Sequence, residues 1–249
     1  MIIDKSIKRV TVGNTDIQRI IHGGGILWQK SVVPGPTKLI GGNLQAGFYG
    51  EVPAKDFITG DELARRIGLT AGKSQYSNEP WLKFSYLGKV EFVAKKTFRF
   101  NITWNDINSV NAIYGNRTIN IDGSTFKVRL FKGKTEGKQN DQTSSSGIIN
   151  HNSEWNRLML PIHASAPSNW RYPGNVNSPT GKWSKGYTDS DLLTSSDTGN
   201  GSWTWCQEGG GSSDTVLFRG NVDVSDSSSI QPSFSNVVCG WRPVLELIN

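Results

Sequence analysis

The chain closes on "VVCGWRPVLELIN" (residues 237–249), a block of Trp, Arg, Pro and alternating aliphatics that follows a long stretch of Ser, Gly, Asp and Asn. Side chains of an extended strand alternate between two faces, so Leu245 and Leu247 fall on one side and Val244 and Glu246 on the other. The block reads as a last strand driven into a core, with Trp241 and Arg242 opening it as a structural latch rather than as a binding site. Cys239 stands just before it and Cys206 in "SWTWCQE"; both have strand-like apolar flanks and read as buried free thiols.

Working outward, 249 residues suffice for one large domain with or without a small appendage. Only 19% of residues are charged, and 28 Gly stand beside 9 Trp, which disfavours a helical bundle and favours strands joined by turns. The net charge of +6 permits a polyanionic partner without requiring one. Apolar runs fall far short of the roughly 20 residues that span a bilayer, and "MIIDKSIKRV" lacks a signal-peptide core. The expectation is a soluble protein made without Sec export and without membrane insertion.

Residues 1–30 carry three short runs, Ile7 to Val12, Ile17 to Ile21 and Ile26 to Trp28, which predict a three-stranded meander too small to stand alone. "SVVPGPTK" (31–38) reads as a stiff Pro/Gly linker. From residue 39 to 249 the signals are mixed. "ITGDELARRIGL" predicts a short helix capped by Thr59 and stopped by Gly68. "ITWNDINSVNAIYG" predicts another behind Thr103, and "NSEWNRLMLPI" a third capped by Asn152 or Ser153. "WLKFSYLGKVEFVAKKTFRF" turns at Leu87 to Lys89, and "RTINIDGSTFKVRLFKG" turns at Asp122-Gly123, a type I′ signal. Residues 164–235 read as ordered loops rich in aromatics, with strands at "SWTWCQ" and "TVLFRG" and regular structure at "DSDLL".

Three segments recur in a fixed order: "ITWNDINSVNAIYG" (102–115), "TVLFRGN" (215–221) and "GWRPVLEL" (240–247). Together they resemble the C-type-lectin-like fold, in the branch shared by formylglycine-generating-enzyme-like domains and variable receptor-binding proteins of phages. Trp104, Asp106, Arg219, Gly220, Gly240, Trp241 and Arg242 occupy the structural motif positions that the resemblance implies. The chain also resembles tail-associated virion proteins of phages that infect Gram-positive bacteria, with residues 1–30 as an attachment module contacting other virion proteins. The fold class that follows is α+β: a small N-terminal β module and a C-type-lectin-like domain with long loops.

The resemblance does not extend to enzymology. The closely spaced cysteine pair of the formylglycine-generating enzymes is missing, since Cys206 lies far upstream of Cys239. "WND" at Trp104 to Asp106 and "QPS" at Gln231 to Ser233 echo calcium-lectin triplets, but the first sits early, on a helix, and the second lacks the acid, so both read as coincidence. The 3 histidines, His22, His151 and His163, have no ligand spacing, and no metal or cofactor is expected. Glu154 and Glu208 are the one carboxylate pair a glycosidase could use, but Glu154 reads more simply as a first-turn helix acid.

The candidate ligand-binding residues are Trp170, Tyr172 and Trp183, aromatics in Pro, Asn and Gly surroundings suited to stacking on sugar rings or docking to protein. Trp203 and Trp205 alternate on one strand face and read as core. The basic run Lys127, Arg129, Lys132, Lys134 and Lys138 reads as a solvated face, and nucleic-acid binding is not expected. The expectation is a non-enzymatic virion protein, tail- or fibre-associated and trimeric or higher, that binds host cell-surface polysaccharide or teichoic acid. The rivals are a purely structural virion component packed against neighbouring subunits and a wall-degrading hydrolase.

Overall fold

A computed structural model describes residues 10–12, 15–17, 19–22, 25–29, 33–134, 153–164, 183, 186–193, 200–210, 214–221 and 223–248. The first strands form two separate hairpins, β1 (Val10–Val12) with β2 (Thr15–Ile17) and β3 (Arg19–His22) with β4 (Gly25–Gln29). This corrects the expected meander: each strand is already taken by its sequence neighbour across a short connection. Pro34 and Pro36 lie against the large domain, where both carbonyls accept from Lys83 Nζ at 2.9 and 2.8 Å.

The remaining strands are β5 (Gly41–Asn43), β6 (Ala46–Val52), β7 (Lys73–Ser74), β8 (Trp81–Tyr86), β9 (Lys89–Ala94), β10 (Arg99–Phe100), β11 (Tyr114–Ile121) and β12 (Ser124–Arg129), followed by β13 (Trp203–Gly209), β14 (Val216–Gly220), β15 (Ser227–Ile230), β16 (Cys239–Trp241) and β17 (Val244–Leu247). They build a seven-stranded antiparallel sheet, β11-β12-β17-β9-β8-β6-β5, and a six-stranded sheet, β15-β14-β13-β16-β10-β7. The helices α1 (Gly60–Ile67), α2 (Trp104–Ser109), α3 (Glu154–Ile162) and α4 (Asp189–Leu192) have only four to nine residues. The α+β expectation is therefore overturned in favour of a β-rich fold. The physical reason is that each helical signal is stopped within a few turns, while the strand runs pair on and on into sheets.

Local chemistry sets the elements where the sequence places them. Thr59 accepts from Glu62 N, and Gly68, with φ 80°, ends α1. Thr103 and Asp106 close a capping box on α2, and Ser153, rather than Asn152, caps α3 by accepting from Asn156 N. Asp122 and Gly123 have φ of 48° and 85°, and Leu87 and Gly88 have 49° and 78°, as two-residue hairpin turns with right-handed twist require.

The seven-stranded sheet is buried on both faces. Trp81, Phe92, Phe126 and Leu245 point into one core, shared with α1, α2 and Trp205, Phe218 and Trp241 of the second sheet. Leu82, Phe84, Val93 and Val244 point into another, shared with Trp155, Leu158 and Ile162 of α3. Period-two alternation thus fills two cores from one strand.

The closing block serves both sheets. Cys239–Trp241 pairs between β13 and β10, and after Pro243 the chain enters the other sheet, where Val244–Leu247 pairs between β12 and β9. The single expected strand is two strands joined by Arg242. This buried guanidinium donates to Thr204 Oγ1 at 3.1 Å, Lys95 O at 2.6 Å and Leu192 O. Arg219 donates to Gly133 O at 2.9 Å and Asn156 Oδ1 at 2.6 Å. Both guanidiniums sit 5.7 Å from the Trp155 ring, so the two motif arginines hold one buried indole between them. Gly240 is needed for close approach: a Cβ there would lie 2.7 Å from Thr97 Cγ2 and 2.8 Å from Gly201 O. Both cysteines are buried free thiols.

Candidate functional site

Of the three expected ligand-binding aromatics, Trp170 and Tyr172 lie outside the described residues. Trp183 lines a cavity of about 490 Å³ with Ile40, Phe48, Gly50, Glu51 and Tyr187. Three non-local features assemble it. The end of α3 supplies the frame, since Pro161 O accepts from Trp183 N at 2.8 Å, Ile162 O accepts from Tyr187 N at 2.8 Å, and Ala164 N donates to Tyr187 O at 2.7 Å. Strand β6 breaks register between Phe48 and Gly50 where it meets β8, a bulge of the kind that re-aims side chains. Gly41 supplies a wall so close that a Cβ there would sit 2.4 Å from Trp183 Cβ.

The side chains make an apolar hollow with a few polar groups. Phe48 meets Tyr187 edge to face at 6.2 Å, and Lys95 Nζ lies 5.1 Å from the Tyr187 ring centroid. Lys95 pairs with Glu51 at 2.9 Å, and Glu51 is also hydrogen-bonded to Tyr187. Burial, and then the Glu51 carboxylate, hold the Tyr187 phenol above its ordinary range, so it stays a neutral donor. Trp183 is only 6% exposed, and among the described residues its Nε1–H has no hydrogen-bond acceptor. A buried donor without an acceptor costs about 1–3 kcal/mol. Tyr187 was visible among the loop aromatics; Phe48, Glu51 and Lys95 carry no local signal, because only sheet pairing brings them to Trp183.

The residues expected to be structural are buried, with two exceptions, Trp104 and Asp106. Arg219, Trp241 and Arg242 are fully buried, and Gly220 and Gly240 are buried with them. Trp104 is only half-buried and borders a second hollow, while Asp106 closes the α2 capping box. The two triplets read as coincidence, Trp104–Asp106 and Gln231–Ser233, are neighbours in space, since Asn105 N donates to Pro232 O at 3.1 Å. Asp106 is committed to Thr103, and among the described residues no group of three or more His, Cys, Asp or Glu is placed to hold a metal ion.

Glu154 is buried and bound by Arg129, with Nη1 at 2.9 Å and Nη2 at 2.5 Å, and it accepts from Lys132 N at 2.8 Å. Arg129, read as part of a solvated basic face, is instead the buried hub of Glu91 at 2.7 Å, Glu154 and Glu246 at 3.1 Å. Burial raises the Glu91 carboxyl well above the usual range, while Arg129 draws Glu154 below it and Lys89 and Arg129 together draw Glu246 below it. Glu208 accepts from Gly133 N at 2.8 Å, and burial pushes it up to about 7.

No family model, curated protein or solved structure matches the chain. Among the described residues, no helix is long and apolar enough to cross a membrane.

Proposed function

We propose that this protein is a non-enzymatic recognition protein that binds a host-surface glycan or wall polymer through the cavity of Trp183 and Tyr187. The observation that carries the reading is a hollow of about 490 Å³ lined by the aromatic side chains of Trp183, Phe48 and Tyr187 with the Glu51 carboxylate among them. Sugar rings combine apolar C–H faces, which pack on aromatics, with hydroxyls that suit an indole donor, a carboxylate and an ammonium. Phe48, Tyr187, Glu51 and Lys95 supply those groups beside Trp183. The setting, a tail- or fibre-associated virion protein that assembles as a trimer or higher, rests on the motif resemblance. Multivalency would compensate for weak single sites.

A second reading, a structural virion component, has its own support. Leu44 and Leu87 are 60% and 53% exposed on adjoining turns, where Gly88 N donates to Leu44 O at 2.9 Å. Such paired apolar tips suit contact with a neighbouring subunit.

The test is sedimentation of the labelled protein with Gram-positive wall preparations, before and after removal of wall teichoic acid and of surface polysaccharide. Binding lost on one of these treatments, and lost in Trp183→Phe, supports recognition. Failure to bind any preparation in an oligomeric form at micromolar protein sinks it.

A further inference from the structure

A second hollow, of about 560 Å³, opens elsewhere on the molecule. It is bordered by Trp104, Tyr114, Asp214, Thr215, Gln231 and Ser233. Trp104 packs on the core that contains Trp205 and Phe218, whereas Trp183 belongs to the core of α3, so the two hollows grow from different parts of the fold.

The walls are tied by backbone and capping bonds. Trp104 is the first residue of α2, whose start is fixed by the Thr103 and Asp106 capping box. Its indole Nε1–H donates to Cys206 O at 3.0 Å, which settles the ring position, and the ring meets Tyr114 at 6.2 Å and 70°. Tyr114 is 56% exposed, a large aromatic surface left to solvent. The opposite wall, the turn at Gln231–Ser233, is tethered to α2 through Pro232 O and Asn105 N. The hairpin end is closed by Gly210 N donating to Thr215 O at 2.7 Å. An aromatic pair held in place loses little side-chain freedom when a ligand stacks on it.

We infer that this hollow is a second binding site, for a neutral oligosaccharide chain. Trp104 and Tyr114 offer ring surface to the C–H faces of sugars, while the Asp214 carboxylate, the Gln231 amide and the Ser233 hydroxyl offer acceptors and donors to sugar hydroxyls. Among the described residues no Lys or Arg borders the hollow, and Asp214 places a negative charge in its wall, so a phosphate- or uronate-bearing polymer is disfavoured there. The net positive charge of the chain is thus not expressed at this site. The inference stands on its own residues and does not need the Trp183 cavity to bind anything.

The experiment is calorimetric titration of the full chain with neutral hexasaccharides of glucose, mannose and N-acetylglucosamine, with poly(glycerol phosphate) as the anionic comparison. One of the hexasaccharides is expected to bind, and Tyr114→Ala and Gln231→Ala are each expected to weaken it by about tenfold or more. Both side chains are exposed, so these variants keep the fold, and an unchanged circular dichroism spectrum checks it. Trp183→Phe should leave this binding intact. The inference is overturned if no neutral hexasaccharide binds at millimolar concentration, if only poly(glycerol phosphate) binds, or if binding survives both groove variants. Loss of binding in Trp183→Phe alone also overturns it while leaving the proposed function standing; the reverse pattern leaves this site standing and removes the Trp183 cavity.

Discussion

Trp183 and Trp241 each bury an indole whose N–H finds no acceptor among the described residues, yet they stand in opposite settings. Trp241 is fully enclosed in the core, on the strand that precedes the crossing between sheets, with Phe98 N donating to its carbonyl at 2.9 Å. Trp183 lines an open hollow. Four other tryptophans, Trp81, Trp104, Trp155 and Trp205, donate to backbone carbonyls at 2.7–3.0 Å. The comparison teaches that a buried unsatisfied donor does not by itself mark a ligand site, since Trp183 differs from Trp241 in the hollow it lines and not in its indole N–H. In a packed core it is a cost carried by the surrounding apolar burial.

The strongest way to break this comparison is Trp241→Ala. It removes a fully buried indole between two sheets and should cost about 3–5 kcal/mol, seen as a large drop in the denaturant midpoint. If stability hardly changes, the latch reading of the closing block fails.

A buried charge gives a second contrast. Burial holds the folded-state Glu208 near 7, above its value in the unfolded chain, so the folded protein binds the extra proton. Stability should therefore fall as pH rises from about 4.5 to about 7, by up to about 3 kcal/mol from this group. Glu208→Gln keeps an acceptor for Gly133 N and should be more stable than the parent at pH 8, with the difference vanishing near pH 4. Thermal melts at the two pH values decide it.

Gly41→Ala pushes a methyl against Trp183 Cβ and should cost about 1–3 kcal/mol while displacing the indole and weakening wall binding. The smallest stability effect belongs to Trp183→Phe. It removes a donor that no protein group uses, so stability should stay within about 1 kcal/mol while ligand binding falls. A melt that drops as far as that of Trp241→Ala would show the two tryptophans to be alike.

The helix ends and hairpin turns were legible because their chemistry is local. Thr59, Thr103 and Gly68 act within one turn of chain, and Asp122-Gly123 and Leu87-Gly88 close hairpins by their own backbone angles. The burial of Trp241 and of the free thiols followed from apolar strand context. The balance of the fold did not: helix signals are as conspicuous in sequence as strand signals, but their length in the folded chain is set by what stops them. The Arg129 hub was read as a solvated face because its carboxylate partners Glu91, Glu154 and Glu246 lie 38, 25 and 117 residues away. Trp104 was read only as a structural motif residue, because a motif position reveals nothing of what lies around it in the fold.

By itself, the sequence determined the helix caps at Thr59 and Thr103, the stop at Gly68 and the hairpin turns at Leu87-Gly88 and Asp122-Gly123, since capping and positive φ act between near neighbours. Only the tertiary structure decided that residues 239–247 divide between two sheets, that Trp183 meets Phe48 and Glu51, and that Trp104 faces Gln231. Alternation is identical in either sheet, and the pairing of strands far apart in the chain depends on burying whole faces at once rather than on any single residue.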